Sequence, residues 1–91
     1  KLNNMNFKDA VIIDVRTQGE FSMGNVNGSI NIPLDTIPNR LDEIRNMGKP
    51  IVVCCASGGR SNAACQWLNA QGLTDVFDGG PWTIVDAQVR N

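Results

Sequence analysis

Histidine is absent from this 91-residue sequence. That removes every mechanism that needs an imidazole base, so Ser–His and Cys–His catalysis are excluded. Cysteine is scarce, with Cys54 and Cys55 adjacent and Cys65 further on. An odd count makes a poor disulfide framework, and the spacing matches no zinc site. Adjacent cysteines bridge only through a strained peptide, which disfavours a Cys54–Cys55 redox switch. No apolar run reaches the roughly 18 residues of a membrane-spanning helix, and no signal-peptide pattern follows Lys1. The formal net charge is only −1, so no basic surface invites nucleic acid or an anionic membrane. No metal and no cofactor is expected, nor a partner of either of those two kinds.

What is present reads as one domain over residues 1–91, without repeats or a low-complexity linker. Val11-Ile12-Ile13-Asp14-Val15 is a continuous β-branched run, as in a strand covered on both faces. Ile30-Asn31-Ile32 is shorter and ends at Pro33, which cannot donate to a ladder. Ile51-Val52-Val53-Cys54 is the clearest buried strand, and Asp75-Val76-Phe77 is a fourth before Gly79-Gly80. The first ten residues leave room for one more. Between the strands, Ile37, Leu41, Ile44 and Met47 share one helical face. Asp35 or Thr36 is the expected cap, Pro38 sits in the first turn, and Gly48 is a natural stop. A second helix runs from Arg60 or Ser61 to Gly72 on Ala64, Trp67 and Leu68, and a third from about Trp82 to Val89. Alternating strands and helices predict an α/β fold: a mainly parallel sheet of four to five strands with helices on both faces.

In such sheets ligands bind where strands end and helices begin. Cys54-Cys55-Ala56-Ser57-Gly58-Gly59-Arg60-Ser61 occupies that place. Ala56, Ser57, Gly58 and Gly59 have little side chain to block their own amides, and the glycines permit positive φ, so the N–H groups can form a concave nest. The helix start adds about half a positive charge, and Arg60 a full one. A helix end is worth roughly 0.3–1 kcal/mol, about 2 in good geometry. At about 1.4 kcal/mol per pKa unit this lowers a thiol's pKa by one or a little more. With the nest and Arg60 added, a drop of about two from 8.5 leaves the thiol mostly ionised at neutral pH. Cys55 is placed to be that thiolate. Cys54 continues the strand and Cys65 lies inside the helix, so both read as small buried hydrophobes.

Four pieces, in order, resemble the rhodanese family over about Ala10 to Trp82. Val11-Ile12-Ile13-Asp14-Val15-Arg16 with Glu20-Phe21 resembles its opening motif. Gly24-Asn25-Val26-Asn27-Gly28-Ser29-Ile30-Asn31-Ile32-Pro33 resembles Gly-His-Ile-x-Gly-Ala-x-Asn-Ile-Pro, with Asn25 in place of histidine. Cys55-Ala56-Ser57-Gly58-Gly59-Arg60-Ser61 resembles the active-site loop Cys-x-x-Gly-x-Arg-Ser, and Phe77-Asp78-Gly79-Gly80-Pro81-Trp82 the closing Gly-Gly and Trp region. The resemblance implies a three-layer rhodanese fold and a sulfurtransferase that moves sulfane sulfur through a persulfide on Cys55, from a donor such as thiosulfate to a thiophilic acceptor. Ala56 to Arg60 would cradle the sulfur with main-chain amides, and Arg60 would help hold an anionic donor. The partners it implies are a small-molecule sulfur donor and a thiol or thioredoxin-like acceptor. The chain is expected to be a monomer in a reducing cytoplasm, or in the periplasm after removal of a signal segment.

Two rival readings follow from the same residues. Counted from Cys54, the loop is Cys-x5-Arg-Ser, which resembles the phosphate loop of cysteine-dependent phosphatases and arsenate reductases, although no obvious aspartate loop supplies a general acid and only Asp14 or Asp78 is left for it. Rhodanese-like domains also serve as non-catalytic interaction modules, though these lack the cysteine. The rhodanese reading requires Cys55 accessible at the mouth of the cradle and Cys54 buried beneath it. Asp14, Arg16 and Glu20 could suggest acid–base work; the plainer reading is an ion pair that fixes the chain after the first strand. Trp67 and Trp82 read as packing residues.

Overall fold

The computed structural model describes residues 6–90. Its sheet has four parallel strands: β1 (Val11–Asp14), β2 (Ile30–Asn31), β3 (Ile51–Cys55) and β4 (Val76–Pro81). They lie in the order β2-β1-β3-β4, so β1 and β3 are central. These two are the apolar β-branched runs of the sequence, as strands covered on both faces must be. The region left open for a fifth strand holds a 3₁₀ turn at Phe7–Asp9, with residues 1–5 outside the described part.

Side chains alternate across a strand, and this divides the interior in two. Ile13, Ile51, Val53 and Cys55 face a core completed by Ile37, Ile44, Ala64 and Leu68. Ile12, Val52 and Cys54 face a smaller one, with Val26 and Val85. Helix α3 (Gly59–Ala70), the 3₁₀ helix Leu34–Arg40 and helix α2 (Leu41–Arg45) cover the first face; helix α4 (Trp82–Arg90) covers the second.

The helix expected over Ile37–Met47 is divided. Its first half is the 3₁₀ helix and only Leu41–Arg45 is α-helical. Pro38 lies within the first half, where it has no N–H for an α-helical bond. Ile37 and Ile44 are nonetheless buried, and Gly48 turns the chain at φ +71°. Neither Asp35 nor Thr36 is the cap. Pro33 holds that position, and Thr36 Oγ1 donates to the Pro33 carbonyl at 2.8 Å. A short helix that was not anticipated, α1 (Gln18–Ser22), opens on a capping box in which Thr17 and Glu20 bond to one another's backbone N–H.

Strands β3 and β4 both run longer than expected, to Cys55 and Pro81. The β3–β4 register shifts between Val53, opposite Asp78, and Cys54, opposite Gly80, so Gly79 is the extra residue of a bulge. A Cβ on Gly79 would lie 2.6 Å from Val52 Cγ1 and 2.7 Å from Val85 Cγ2, so only glycine fits.

Candidate active site: a thiol under a backbone loop

Strand β3 delivers Cys55 to the carboxyl edge of the sheet, and α3 begins four residues later. Gly58 makes the reversal between them with φ +111°, a conformation in which an L side chain is strained. Gly59 does not share it and is already helical. The reversal aims the Gly58 N–H at Cys55 Sγ, 3.0 Å away, and the first turn of α3 adds the Ser61 N–H at 3.3 Å. Ser61 Oγ lies 3.4 Å from the same sulfur and donates to Asp78 Oδ1 at 2.7 Å. Asp78 Oδ1 also accepts from the Gly80 N–H at 2.9 Å.

Burial alone would push the Cys55 thiol up. The amides of Ser61, Gly58 and Ser57, with the Ser61 hydroxyl once its one proton turns from Asp78 to the sulfur, favour the thiolate and together outweigh it, so the pKa falls below the ordinary cysteine value. The Cys55 side chain is not open at a mouth, as the sequence suggested. The residue is only 1% exposed. Ala56, Ser57 and Gly59 are exposed above it, so the sulfur lies beneath the loop.

Cys54 points the other way, into the smaller core, fully buried. Burial, with the Asp14 charge nearby, pushes its thiol up to about 12. The longer loop counted from Cys54 therefore does not close on the Cys54 sulfur. Cys65 sits in α3 against the Val76 carbonyl, 3.4 Å from its sulfur, and burial raises its thiol too.

Asp14, which ends β1, and Arg16 and Glu20, which follow it, separate into two ion pairs. Asp14 and Arg16, both buried, form a forked pair: Nε lies 3.0 Å from each carboxylate oxygen and Nη2 2.8 Å from Oδ2. Arg16 also donates to the Gly24 carbonyl and lies over the Trp82 ring, 4.8 Å from its centroid. This pair pins the chain after β1, and Trp82 packs against it. Glu20 joins Arg60 instead, through a second forked pair at 2.7 and 3.0 Å. Arg60 is the main reason Glu20 is lowered to about 2. Asn25, at the departure from the motif, donates to the Phe21 carbonyl on an exposed loop.

Of the loop residues Ala56 to Arg60, Gly58 puts its amide in direct contact with Cys55, and Arg60 turns its fork to Glu20. Three further residues enter the site: Ser61, Asp78 and Glu20. Ser61 stands inside the loop motif. The Thr17–Glu20 spacing is a visible capping signal. Nothing local marks Asp78 as a partner of a serine 17 residues away.

The family profile described as Rhodanese-like domain matches residues 1–80. The chain belongs to the rhodanese family. It is 38% identical over 72 residues to the Bacillus subtilis protein YqhL, covering 79% of this chain and 56% of that one. A sulfurtransferase of Allochromatium vinosum is 35% identical over 71 residues, covering 78% and 65%. The thiosulfate sulfurtransferase GlpE of Shewanella oneidensis is 33% identical over 75 residues, covering 80% and 73%. The chain thus spans less than two thirds of the first two relatives. Among solved structures, a rhodanese-related protein of Thermoplasma volcanium is similar with TM-score 0.77 and 31% identity, covering 91% of this chain and 81% of that one. The three-layer α/β architecture is the one expected.

Proposed function

We propose that this protein is a sulfurtransferase in which Cys55 carries sulfane sulfur as a persulfide. The observation that supports it most is the convergence of the Gly58 and Ser61 amides on Cys55 Sγ, at the end of a parallel strand and the start of a helix. Those donors favour an anionic sulfur without a histidine. The names of two relatives, a sulfurtransferase and a thiosulfate sulfurtransferase, point the same way.

In the first half-reaction the Cys55 thiolate attacks the outer sulfur of the donor. A sulfur–sulfur bond forms to Cys55 as the donor's own breaks, and the donor's remainder leaves with the electron pair; from thiosulfate that remainder is sulfite. In the second, cyanide or a thiolate attacks the outer sulfur of the persulfide and returns the Cys55 thiolate. No net oxidant is consumed. The loop amides stabilise negative sulfur at both stages.

The test is thiocyanate formation from thiosulfate and cyanide, by the intact protein, Cys55→Ser and Cys54→Ala, with an aryl phosphate in parallel. The expected result is activity in the intact protein and Cys54→Ala, loss of at least about a thousandfold in Cys55→Ser, and a mass gain of one sulfur on Cys55. Phosphate release that depends on Cys54 would overturn the reading.

A further inference from the structure

An arginine beside a thiolate is the natural clamp for a doubly charged donor, because its planar fork matches an oxyanion. Here that fork is occupied. Arg60 Nη1 and Nη2 bond to the two carboxylate oxygens of Glu20. Glu20 is itself tethered: its Oε1 accepts from the Thr17 N–H at 3.0 Å and from Thr17 Oγ1 at 3.1 Å. An incoming anion must therefore compete with a carboxylate that its own helix holds in place.

Among the described residues no other cation stands ready. Arg16 is committed to Asp14, Arg40 to Glu43 and Arg90 to Asp86. Lys8 precedes β1, and Arg45 and Lys49 precede β3, at the opposite edge of the sheet from Cys55. Among the described residues, the carboxyl edge thus holds no uncommitted positive side chain. Asp78 and Glu20 add negative charge to it.

Charge then separates possible donors. Attack of the Cys55 thiolate on thiosulfate brings three negative charges together. Attack on the protonated form of an organic persulfide brings only one, and attack on a thiosulfonate anion two. We propose that Glu20 is a specificity-determining residue that, by occupying Arg60, selects sulfane donors of low charge, organic persulfides above all, over dianionic thiosulfate. The proposal rests on the sulfurtransferase reading. For the persulfide the step is balanced: Cys55–S⁻ and R–S–SH give Cys55–S–SH and R–S⁻, which takes a proton from water.

Two donors of like chemistry and different charge test it: thiosulfate, a dianion, and methanethiosulfonate, a monoanion, each with cyanide as acceptor. The intact protein should show the higher kcat/KM with methanethiosulfonate. Glu20→Gln keeps a side chain that can complete the capping box but removes the charge and frees Arg60. It should move the ratio of the two kcat/KM values toward thiosulfate by about tenfold, with an unchanged circular dichroism spectrum. Glu20→Asp should return the ratio toward that of the intact protein. A preference for thiosulfate in the intact protein, or an equal loss with both donors in Glu20→Gln, would overturn the proposal and leave Glu20 a structural residue. Failure of both donors to place sulfur on Cys55 would instead overturn the sulfurtransferase reading beneath it.

Discussion

Cys54 and Cys55 are neighbours in sequence and opposites in chemistry, because one step along a strand reverses the direction of a side chain. Cys54 enters an apolar core that offers its sulfur no amide donor, and burial holds it protonated. Cys55 enters a ring of N–H groups. The alkylation rate of Cys55 by iodoacetamide should therefore rise with a midpoint below the ordinary cysteine value, with Cys54 and Cys65 unmodified until the protein unfolds. Ser61 contributes through its amide and, when its proton turns from Asp78 to the sulfur, through its hydroxyl; Ser61→Ala removes only the hydroxyl. A hydrogen bond to a charged group is worth about 1.5–3 kcal/mol, and about 1.4 kcal/mol corresponds to one pKa unit. The midpoint in Ser61→Ala should accordingly move up by about one to two. An unmoved midpoint would show that the amides alone set it. The division between the cysteines was legible in the sequence, since the apolar run from Ile51 fixes which positions share a face. The near-complete burial of Cys55 was not, because it depends on how the small residues Ala56 to Gly59 fold back over the sulfur.

Among the elements, β4 links the core to the site. Its bulge at Gly79 lets Asp78 reach Ser61 while Gly80 donates back to the same carboxylate. Gly79→Ala would force its methyl into Val52 and Val85. The expected cost is about 1–3 kcal/mol, measured by urea denaturation. Sulfur transfer should fall more than the folded fraction, because the Asp78–Ser61 contact moves with the bulge. Loss of stability without that extra loss of turnover would separate the bulge from the site. The glycine pair before Trp82 was visible as a motif, but its meaning as a bulge needs the partner strand. Pro38 and the Thr17–Glu20 capping pair were equally visible. The proline accounts for the divided helix after β2, and the capping pair marks α1, whose brevity hides any apolar periodicity.

At the scale of the whole molecule, the Glu20–Arg60 pair fastens the segment after β1 to the helix after β3, across 40 residues of chain. No local pattern announces such a contact, since both residues have ordinary surface chemistry. It carries a pH signature. The Glu20 pKa lies near 2 in the folded protein, below its ordinary value near 4.5. The folded state thus favours the ionised carboxylate. The associated stability is fully present above about pH 4.5 and is lost as pH falls toward 2. Both partners are partly exposed, so the effect is modest and is screened by salt. Melting temperatures measured from neutral pH down to about 2 should fall more steeply through the acid range for the intact protein than for Glu20→Gln. The gap between the two curves should close as Glu20 is protonated, and should narrow at high ionic strength. Curves that stay parallel across that range would mean that the clasp between α1 and α3 contributes nothing to global stability and acts at the site alone.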